Sequence, residues 1–221
     1  LEAALKNAEA WDDARPPGGD FVYGNLNYPV VAAVVEGATG ERFDRAMTEL
    51  VFRPLGIDAC FNWPMCSDAA VARAVVLYDS EGAVVRDDLR GERPACPVVP
   101  AADGSCDLAS YRLARHGAGF SPQGGVRISA NGLARIGVML LRRGEGFLKP
   151  ASIARLEAMA PVRPDTGEGA GGFFCEYGVA MHSNGTRSAT GPGCRDDLFG
   201  DGRRRLGHSG DAYGLRSVPW D

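Results

Sequence analysis

The order of patterns along the chain predicts an α+β fold, because helical patterns come first and strand patterns follow. The clearest helical pattern lies at 26–39, where valines recur at three-to-four-residue spacing. The clearest strand patterns lie at 173–181 and 206–208. Neither a repeat nor an interdomain linker interrupts the sequence. We therefore expect one domain over 1–221, with a loop-rich insertion at 58–119.

Prolines and glycines mark where the predicted elements begin and end. Residues 1–11 predict the tail of a helix, which the Pro/Gly-rich run at 14–20 stops. Gly40 ends the helix at 26–39, and the run Pro54-Leu55-Gly56 ends the next helix. The remaining predictions are helices at 41–53, 130–143 and 151–159, short strands at 71–79 and 83–86, and a glycine-rich connection at 165–172.

Three local features carry more specific predictions. The helix at 41–53 has one apolar face, which consists of Phe43, Met47, Leu50 and Val51. The stretch 120–127 predicts a tight glycine turn, and Ser129 predicts the N-cap of the helix that follows. The segment 79–82 reads Asp-Ser-Glu-Gly, which predicts a turn between two short strands.

The net charge and the apolar runs of the chain limit the kinds of binding partner that we expect. The net charge is −4, and Arg203-Arg204-Arg205 is the only basic run, which we interpret as a solvated turn. Nucleic-acid binding normally needs a clustered basic face, so we expect no nucleic-acid partner. No apolar run approaches the roughly 20 residues of a membrane span, so we expect none. We expect no cofactor either.

The six cysteines fall as near neighbours in loop-like stretches. They are Cys60 and Cys66, Cys96 and Cys106, and Cys175 and Cys194. Because no Cys-x-x-Cys pair occurs and no histidine lies beside them, we expect no metal site. An even count in such stretches favours disulfides and an oxidising compartment. Pairing of neighbours is one of 15 possible connectivities, and buried free thiols are the alternative.

Two short polar strips are the candidate functional residues. Tyr23-Gly24-Asn25 precedes the helix at 26–39, and His208-Ser209-Gly210 follows a predicted strand. In such a cleft Tyr23 can move a proton, while Asn25 can hold a carbonyl or amide. The alternatives are a half-buried aromatic at Tyr23, a helix N-cap at Asn25 and an ordinary strand histidine at His208. His116 and His182 are interpreted as structural or surface residues.

These strips belong to an ordered set of motifs. Between them stand Pro54-Leu55-Gly56-Ile57, the segment Ser121-Pro-Gln-Gly-Gly-Val-Arg-Ile-Ser129 and Leu133-Ala-Arg-Ile136. In this order and spacing, the set resembles the serine β-lactamase-like family, which includes class C β-lactamases, D,D-carboxypeptidases, D-aminopeptidases and carboxylesterases. The resemblance covers residues 14–217. It implies a β-lactamase/transpeptidase-like fold with a helical region packed against an antiparallel sheet, incomplete at both ends in this chain.

The resemblance also implies a chemistry and a role for each strip. Family members transfer acyl groups through the serine of a Ser-x-x-Lys motif. By resemblance, Tyr23 is the general acid/base and Asn25 binds the substrate amide. His208, Ser209 and Gly210 border the cleft in place of the family's Lys-Thr-Gly, and the backbone N–H of Asp211 is one oxyanion-hole donor.

Two departures from the family pattern bear on function. Histidine at 208 removes a permanent cation, which disfavours β-lactam substrates and favours esters, amides or peptides. The only lysines are Lys6 and Lys149, and the residues three positions before them are Ala3 and Gly146. The sequence therefore contains no Ser-x-x-Lys motif, and we expect the nucleophile to lie outside this chain.

Three functional hypotheses follow from the sequence. The first is a periplasmic or secreted serine hydrolase that acts on a small-molecule ester, amide or peptide. The second is a catalytically inactive homologue or fragment that binds peptide or cell-wall-like ligands in the same cleft. The third is a cysteine-stapled domain without a cleft. The sequence makes no prediction of oligomeric state.

Overall fold

The computed structural model describes most of the chain. The described residues are 1–11, 13–14, 18, 21–96, 106, 108–117, 119–162, 173–185 and 194–217. They form two compact units. The first unit comprises Leu1–Trp11, Gly24–Arg135 and Asp211–Leu215, and the second comprises Asp12–Tyr23, Ile136–Gly210 and Arg216–Asp221. The predicted connection at 165–172 lies outside the described residues.

Helices and antiparallel strands alternate along the chain, so the predicted α+β class is confirmed. The helices are α1 (Glu2–Leu5), α2 (Asn27–Thr39), α3 (Phe43–Met47), α4 (Asp68–Ala72), α5 (Ala130–Leu141) and α6 (Pro150–Glu157). The strands are β1 (Ala59–Phe61), β2 (Leu77–Tyr78), β3 (Val84–Arg86), β4 (Val126–Ile128), β5 (Ala160–Pro161), β6 (Glu176–Tyr177), β7 (His182–Asn184), β8 (Arg205–Gly207), β9 (Gly210–Ala212) and β10 (Leu215–Ser217).

Helix α2 begins and ends close to its predicted limits. Gly40 follows it with φ of 69° and donates its N–H to the Glu36 carbonyl at 2.9 Å, which closes the last turn. Helix α1 is shorter than predicted, since a separate 3-10 turn covers Ala8–Ala10. The predicted cap of α5 is confirmed, because the Ser129 Oγ accepts the Gly132 N–H at 3.0 Å.

The predicted apolar face of the second helix is partly wrong. Helix α3 continues as a π-helical turn over Thr48–Phe52, which turns the following side chains away from the 3.6-residue period. Leu50 is consequently 55% exposed. The buried ring at this point is Phe52, whose centroid lies 6.0 Å from that of Phe61 in β1. The Phe43 ring also contacts Phe61, with ring centroids 5.1 Å apart.

The predicted strand at 71–79 is wrong over its first half. The Ser67 side chain accepts the Ala70 N–H at 3.0 Å and so caps α4, which contains Val71. Burial of Val71 beside the Cys60–Cys66 pair favours this helix. Only β2 remains of the predicted strand. It pairs antiparallel with β3 across the predicted turn, where the Asp79 carboxylate accepts the N–H groups of Glu81 and Ala83.

A buried carboxylate organises the first unit. Glu36 lies within the mostly apolar α2 and is fully buried. Its oxygens accept the Phe43 N–H and the Ala114 N–H, each at 3.0 Å, and the Tyr111 hydroxyl. Burial, and next the hydrogen bond to Glu36, raise the pKa of Tyr111 well above its usual range, so Tyr111 remains a donor.

The second unit is built on a four-stranded antiparallel sheet in the order β5-β6-β7-β8. The single strand predicted at 173–181 is wrong, because the chain turns back between β6 and β7. Ala180 has φ of 76°, and the Gly178 N–H donates to the Met181 carbonyl at 2.8 Å. A side chain at Gly178 would meet the Ala158 carbonyl at 2.7 Å, so the turn requires glycine there. Strands β9 and β10 pair as a separate two-stranded sheet.

Three disulfides join the neighbouring cysteines, so the sequential pairing is confirmed. The Cα–Cα distances are 5.0 Å for Cys60–Cys66 and 5.7 Å for both Cys96–Cys106 and Cys175–Cys194. All six cysteines are oxidised, so the free-thiol alternative is wrong. Among the described residues, no helix combines the length and the apolarity that a membrane span needs.

The partners of Glu36 predict a strong dependence of stability on this side chain. We expect Glu36→Ala to lower the free energy of unfolding, because each buried donor left without an acceptor costs about 1–3 kcal/mol. Glu36→Gln should be milder, since its carbonyl oxygen can still accept the Phe43 N–H. Urea unfolding followed by tryptophan fluorescence measures both.

Glu41→Ala, at an exposed site nearby, is the control and should change stability by at most about 0.5 kcal/mol. Equal effects of Glu36→Ala and Glu41→Ala would contradict the prediction.

Candidate functional site

Tyr23 and His208 lie together in the second unit. Their ring centroids are 6.0 Å apart, although 185 positions separate them in sequence. Tyr23 is half-buried and stacks on Phe174, with centroids 5.6 Å apart and ring planes within 8°. Tyr177 meets Tyr23 edge-on at 6.3 Å. Tyr23 thus contacts two aromatic rings and lies near an imidazole.

The register of the sheet explains where His208 lies. In the β7–β8 pair, His182 is opposite Gly207, and His208 is the next residue after β8. The two imidazole centroids are consequently 5.5 Å apart with nearly perpendicular planes. Tyr177 in β6 is opposite His182 in the adjoining pair. One row across three strands therefore brings Tyr177, His182 and His208 together.

The hydrogen bonds of His208 determine which ring nitrogen carries the proton. Its Nδ1 lies 2.5 Å from the Ser209 carbonyl oxygen, and a carbonyl can only accept. Nδ1 therefore carries hydrogen. The Nε2 atom of a neutral imidazole is then an acceptor, so the Tyr177 hydroxyl, 3.1 Å away, donates to it. His208 is held from both ring nitrogens.

Both imidazoles are biased towards the neutral form. His182 is fully buried, and its Nε2 accepts the Ser209 N–H at 3.4 Å. Burial, and next the proximity of His208, lower the pKa of His182 to about 4. Burial also lowers the pKa of His208, although the hydrogen bond to the Ser209 carbonyl opposes this. At neutral pH neither histidine contributes a positive charge here.

The remaining candidates are distributed between the two units. Ser209 and Gly210 belong to the second unit with His208. A side chain at Gly210 would meet the Ser217 hydroxyl at 2.7 Å, which favours glycine. Asn25 and Asp211 belong to the first unit, and both are exposed. The N-cap alternative for Asn25 is wrong, because Leu26 occupies the capping position of α2.

The sequence interpretation missed two neighbours of His208. Tyr177 was placed within a single strand, and His182 was assigned only a structural or surface role. The available signal was Gly178, which marks the turn that puts Tyr177 and His182 on paired strands. A hairpin prediction at this glycine would have brought both residues beside the strip at 208–210.

One group of potential metal ligands occurs in the described ranges of the chain. The side chains of Cys175, Cys194 and Asp196 place their ligand atoms within 4.8 Å of one another. The two sulfurs are bonded to each other, so they are not thiolates. Since a thiolate is the form that binds metals, this group is a disulfide beside a carboxylate rather than a metal site.

The family to which the chain belongs follows from its match to a family model. A family model described as Beta-lactamase matches residues 2–220. This chain belongs to the beta-lactamase family. The ordered motifs between Tyr23 and Gly210 thus reflect family membership, and the resemblance inferred from them is confirmed. Among curated proteins, none matches the chain.

Two solved structures are similar to this beta-lactamase family chain. One is SurE with D-Leu, at 20% identity and a TM-score of 0.51, covering 90% of this chain and 36% of SurE. Another is a D-stereospecific amidohydrolase from Streptomyces sp., at 15% identity and a TM-score of 0.56, covering 96% of this chain and 49% of that protein. At these identities the likeness shows the fold alone. The chain spans between about a third and a half of the length of these two relatives.

The lowered histidine pKa values predict how stability depends on pH. Folded His182 stays neutral down to about pH 4, whereas an unfolded histidine binds a proton below about pH 6.5. Between these values the unfolded state binds more protons, so the free energy of unfolding falls as pH is lowered. Replacing His182 with Gln should reduce the loss of stability between pH 7 and pH 5, as measured by urea unfolding at both values.

The control for this experiment is His116→Gln. His116 is a partly exposed histidine of the first unit. We expect His182→Gln to change the pH dependence more than this variant does. If His182→Gln keeps the pH dependence of the unchanged protein in full, His182 does not remain neutral through burial.

Proposed function

We propose that the protein containing this chain is a serine hydrolase that transfers an acyl group from a small-molecule ester, amide or peptide. Membership of the beta-lactamase family supports this. The single observation that carries the proposal is the placement of Tyr23 beside His208, since these are the family's two cleft-lining motifs. The nucleophilic serine is assigned to a part of the protein outside these 221 residues, because the sequence contains no Ser-x-x-Lys motif.

In the proposed mechanism, Tyr23 moves the proton in both half-reactions. The Tyr23 phenolate takes the hydroxyl proton of the serine while the serine oxygen bonds to the substrate carbonyl carbon. The phenol then returns that proton to the departing alcohol or amine, which leaves an acyl-enzyme. A water molecule then attacks the acyl-enzyme in the same way, with Tyr23 again moving the proton, and the acid product leaves. A phenol normally has a pKa near 10, so this role needs the nearby positive charge of the family's lysine.

The other strip residues bind and orient the substrate in this proposal. The amide of Asn25 holds a substrate carbonyl or amide group. The backbone N–H of Asp211 and that of the nucleophile stabilise the negative oxygen of the tetrahedral intermediate. Neutral His208 provides no permanent cation, because burial lowers its pKa. This favours substrates whose recognition at Ser209 and Gly210 uses neutral hydrogen bonds, as esters and amides do.

We propose a periplasmic or secreted location. The three disulfides support it, because such bonds persist in oxidising compartments. Fractionation of the producing cells followed by alkylation of free thiols tests this, and recovery of the protein in the cytoplasm with Cys96 and Cys106 labelled would contradict it.

A second candidate function is binding without catalysis. The absence of Ser-x-x-Lys from the sequence favours it. Such a protein would hold peptide or cell-wall-like ligands through the same strips, without forming an acyl-enzyme.

Intact-mass measurement with a fluorophosphonate probe, and separately with a penicillin, distinguishes these two functions. We expect the 221-residue chain to remain unlabelled, because it offers no activated serine. The full-length protein should gain one stoichiometric fluorophosphonate adduct if it is the proposed hydrolase. An unlabelled full-length protein would contradict the hydrolase and support the binding function. A stoichiometric adduct on the 221-residue chain would contradict the proposed location of the nucleophile.

Substitution of Tyr23 tests its role directly. In the full-length protein, Tyr23→Phe should lower kcat/KM by about 10²–10⁴-fold, the usual contribution of a positioned proton-transfer group. Suitable substrates are p-nitrophenyl acetate and a D-amino-acid amide, the latter suggested by the amidohydrolase among the structural neighbours. Tyr78→Phe removes an equivalent hydroxyl from an exposed strand and should leave the rate unchanged. A loss below about threefold for Tyr23→Phe would exclude it from proton transfer.

A further inference from the structure

Two consecutive hydrogen bonds join strand β6 to the strip at 208–210. The Tyr177 hydroxyl donates to His208 Nε2 across 3.1 Å, and His208 Nδ1 donates to the Ser209 carbonyl oxygen across 2.5 Å. All three residues belong to the second unit. We propose that Tyr177 is a positioning residue of the hydrolase, and that it acts through His208 to fix the backbone of the strip at Ser209. This role rests on the proposed acyl transfer.

Ring contacts hold Tyr177 itself in place. The centroid of its ring lies 4.8 Å from that of Phe21 and 5.6 Å from that of Phe174, and the Phe174 contact is edge-on. The imidazole of His182 lies nearly parallel to the Tyr177 ring, with the planes within 7° and the centroids 6.1 Å apart. A side chain whose rotamer is locked by packing can orient a second side chain through a hydrogen bond. Tyr177 meets that requirement for His208.

The hydroxyl of Tyr177 is the feature that packing alone does not explain. A phenylalanine would make the same ring contacts, as Phe173 and Phe174 do in the same cluster. Within an aromatic cluster a hydroxyl is favourable only when it has a hydrogen-bond partner, and His208 Nε2 is such a partner. Because this hydroxyl is bound to His208, while the ring meets Tyr23 edge-on at 6.3 Å, we assign Tyr177 to positioning rather than to proton transfer.

A second imidazole holds the strip through the amide of Ser209. The Ser209 N–H donates to His182 Nε2 across 3.4 Å, a longer hydrogen bond than either of those made by His208. His182 is fully buried in β7, opposite Gly207. The backbone of Ser209 is thus bound both at its donor and at its acceptor. Tyr177 acts on the acceptor, because removing its hydroxyl releases His208 at one end.

The position of the Ser209 backbone matters because of the residues that follow it in the chain. Gly210 comes next, and then Asp211, whose N–H is the proposed oxyanion donor. Such a donor must lie about 2.7–3.1 Å from the oxygen that becomes negative. A misplacement of about 1 Å in catalytic geometry can lower the rate by about 10²-fold. A loosened strip should therefore slow acyl transfer more than it weakens binding of the substrate.

The first test is a double-mutant cycle in the full-length protein, with p-nitrophenyl acetate as the substrate. Tyr177→Phe should lower kcat by about tenfold and change KM by less than about twofold, since a hydrogen bond that supports the transition state is lost. His208→Asn keeps an N–H donor near the position of Nδ1 and removes the acceptor at Nε2. In that background, Tyr177→Phe should change kcat by less than about twofold, because its hydroxyl acts through His208. Tyr78→Phe, on an exposed strand, is the matched control and should leave kcat unchanged.

The second test needs no activity and uses the 221-residue chain. Nitrogen NMR of the imidazole rings distinguishes a protonated from an unprotonated ring nitrogen and responds to hydrogen bonding at each. In the unchanged chain, we expect the proton of His208 on Nδ1. Tyr177→Phe should shift the Nε2 signal of His208 and leave the signals of His116, which belongs to the first unit, unchanged. Thermal unfolding shows which variants are folded.

Three results would overturn the positioning role of Tyr177. These are a kcat for Tyr177→Phe within about twofold of the unchanged protein, an equal loss of kcat in both backgrounds, and an unchanged Nε2 signal. If Tyr177→Phe does not fold, His208→Asn breaks the same hydrogen bond from its other end, and an unchanged kcat there contradicts the role as well. Failure of fluorophosphonate labelling would remove the hydrolase and leave the expected NMR shift intact, so the two proposals fail separately.

Discussion

The buried carboxylate of Glu36 constrains much of the first unit. Removing a charge from water is costly, so such a group persists only where hydrogen-bond donors surround it. Those donors come from the start of α3 and from Tyr111 and Ala114, in a segment without regular secondary structure. One side chain of α2 thereby positions an irregular stretch 75 or more positions away. That stretch leads directly into the turn that carries Ser121.

In the second unit, the pairing register of the sheet determines which side chains meet. Pairing of β7 with β8 puts His182 opposite Gly207, so His208 must lie beside a buried imidazole. Two imidazoles 5.5 Å apart in an apolar surrounding cannot both be charged without a large penalty. The aromatic rings of Phe174 and Tyr177 complete that surrounding. The result is a neutral, hydrogen-bonded strip at the position where the family pattern has a lysine.

Local signals in the sequence predicted the features that depend on local chemistry. The period of α2, the glycine that ends it, the Ser129 cap and the pairing of neighbouring cysteines all require only short-range information. The hairpin between β6 and β7 was not predicted, because Gly178 is its only glycine and the positive φ of the turn lies at Ala180, a conformation that alanine seldom adopts. The hydrogen bonds of Glu36 could not be predicted either, since no local pattern in the sequence identifies Tyr111 as its partner.

The two units differ in how they carry charge, and this difference bears on recognition. Imidazoles whose pKa values are lowered by burial are neutral at physiological pH, so His208 and His182 cannot hold an anion there. The first unit keeps partly buried arginines charged by pairing them, Arg127 with Asp87 at 2.8 Å and Arg42 with Asp44 at 2.7 Å. The second unit thus removes a buried positive charge by lowering a pKa, whereas the first unit balances it with a carboxylate.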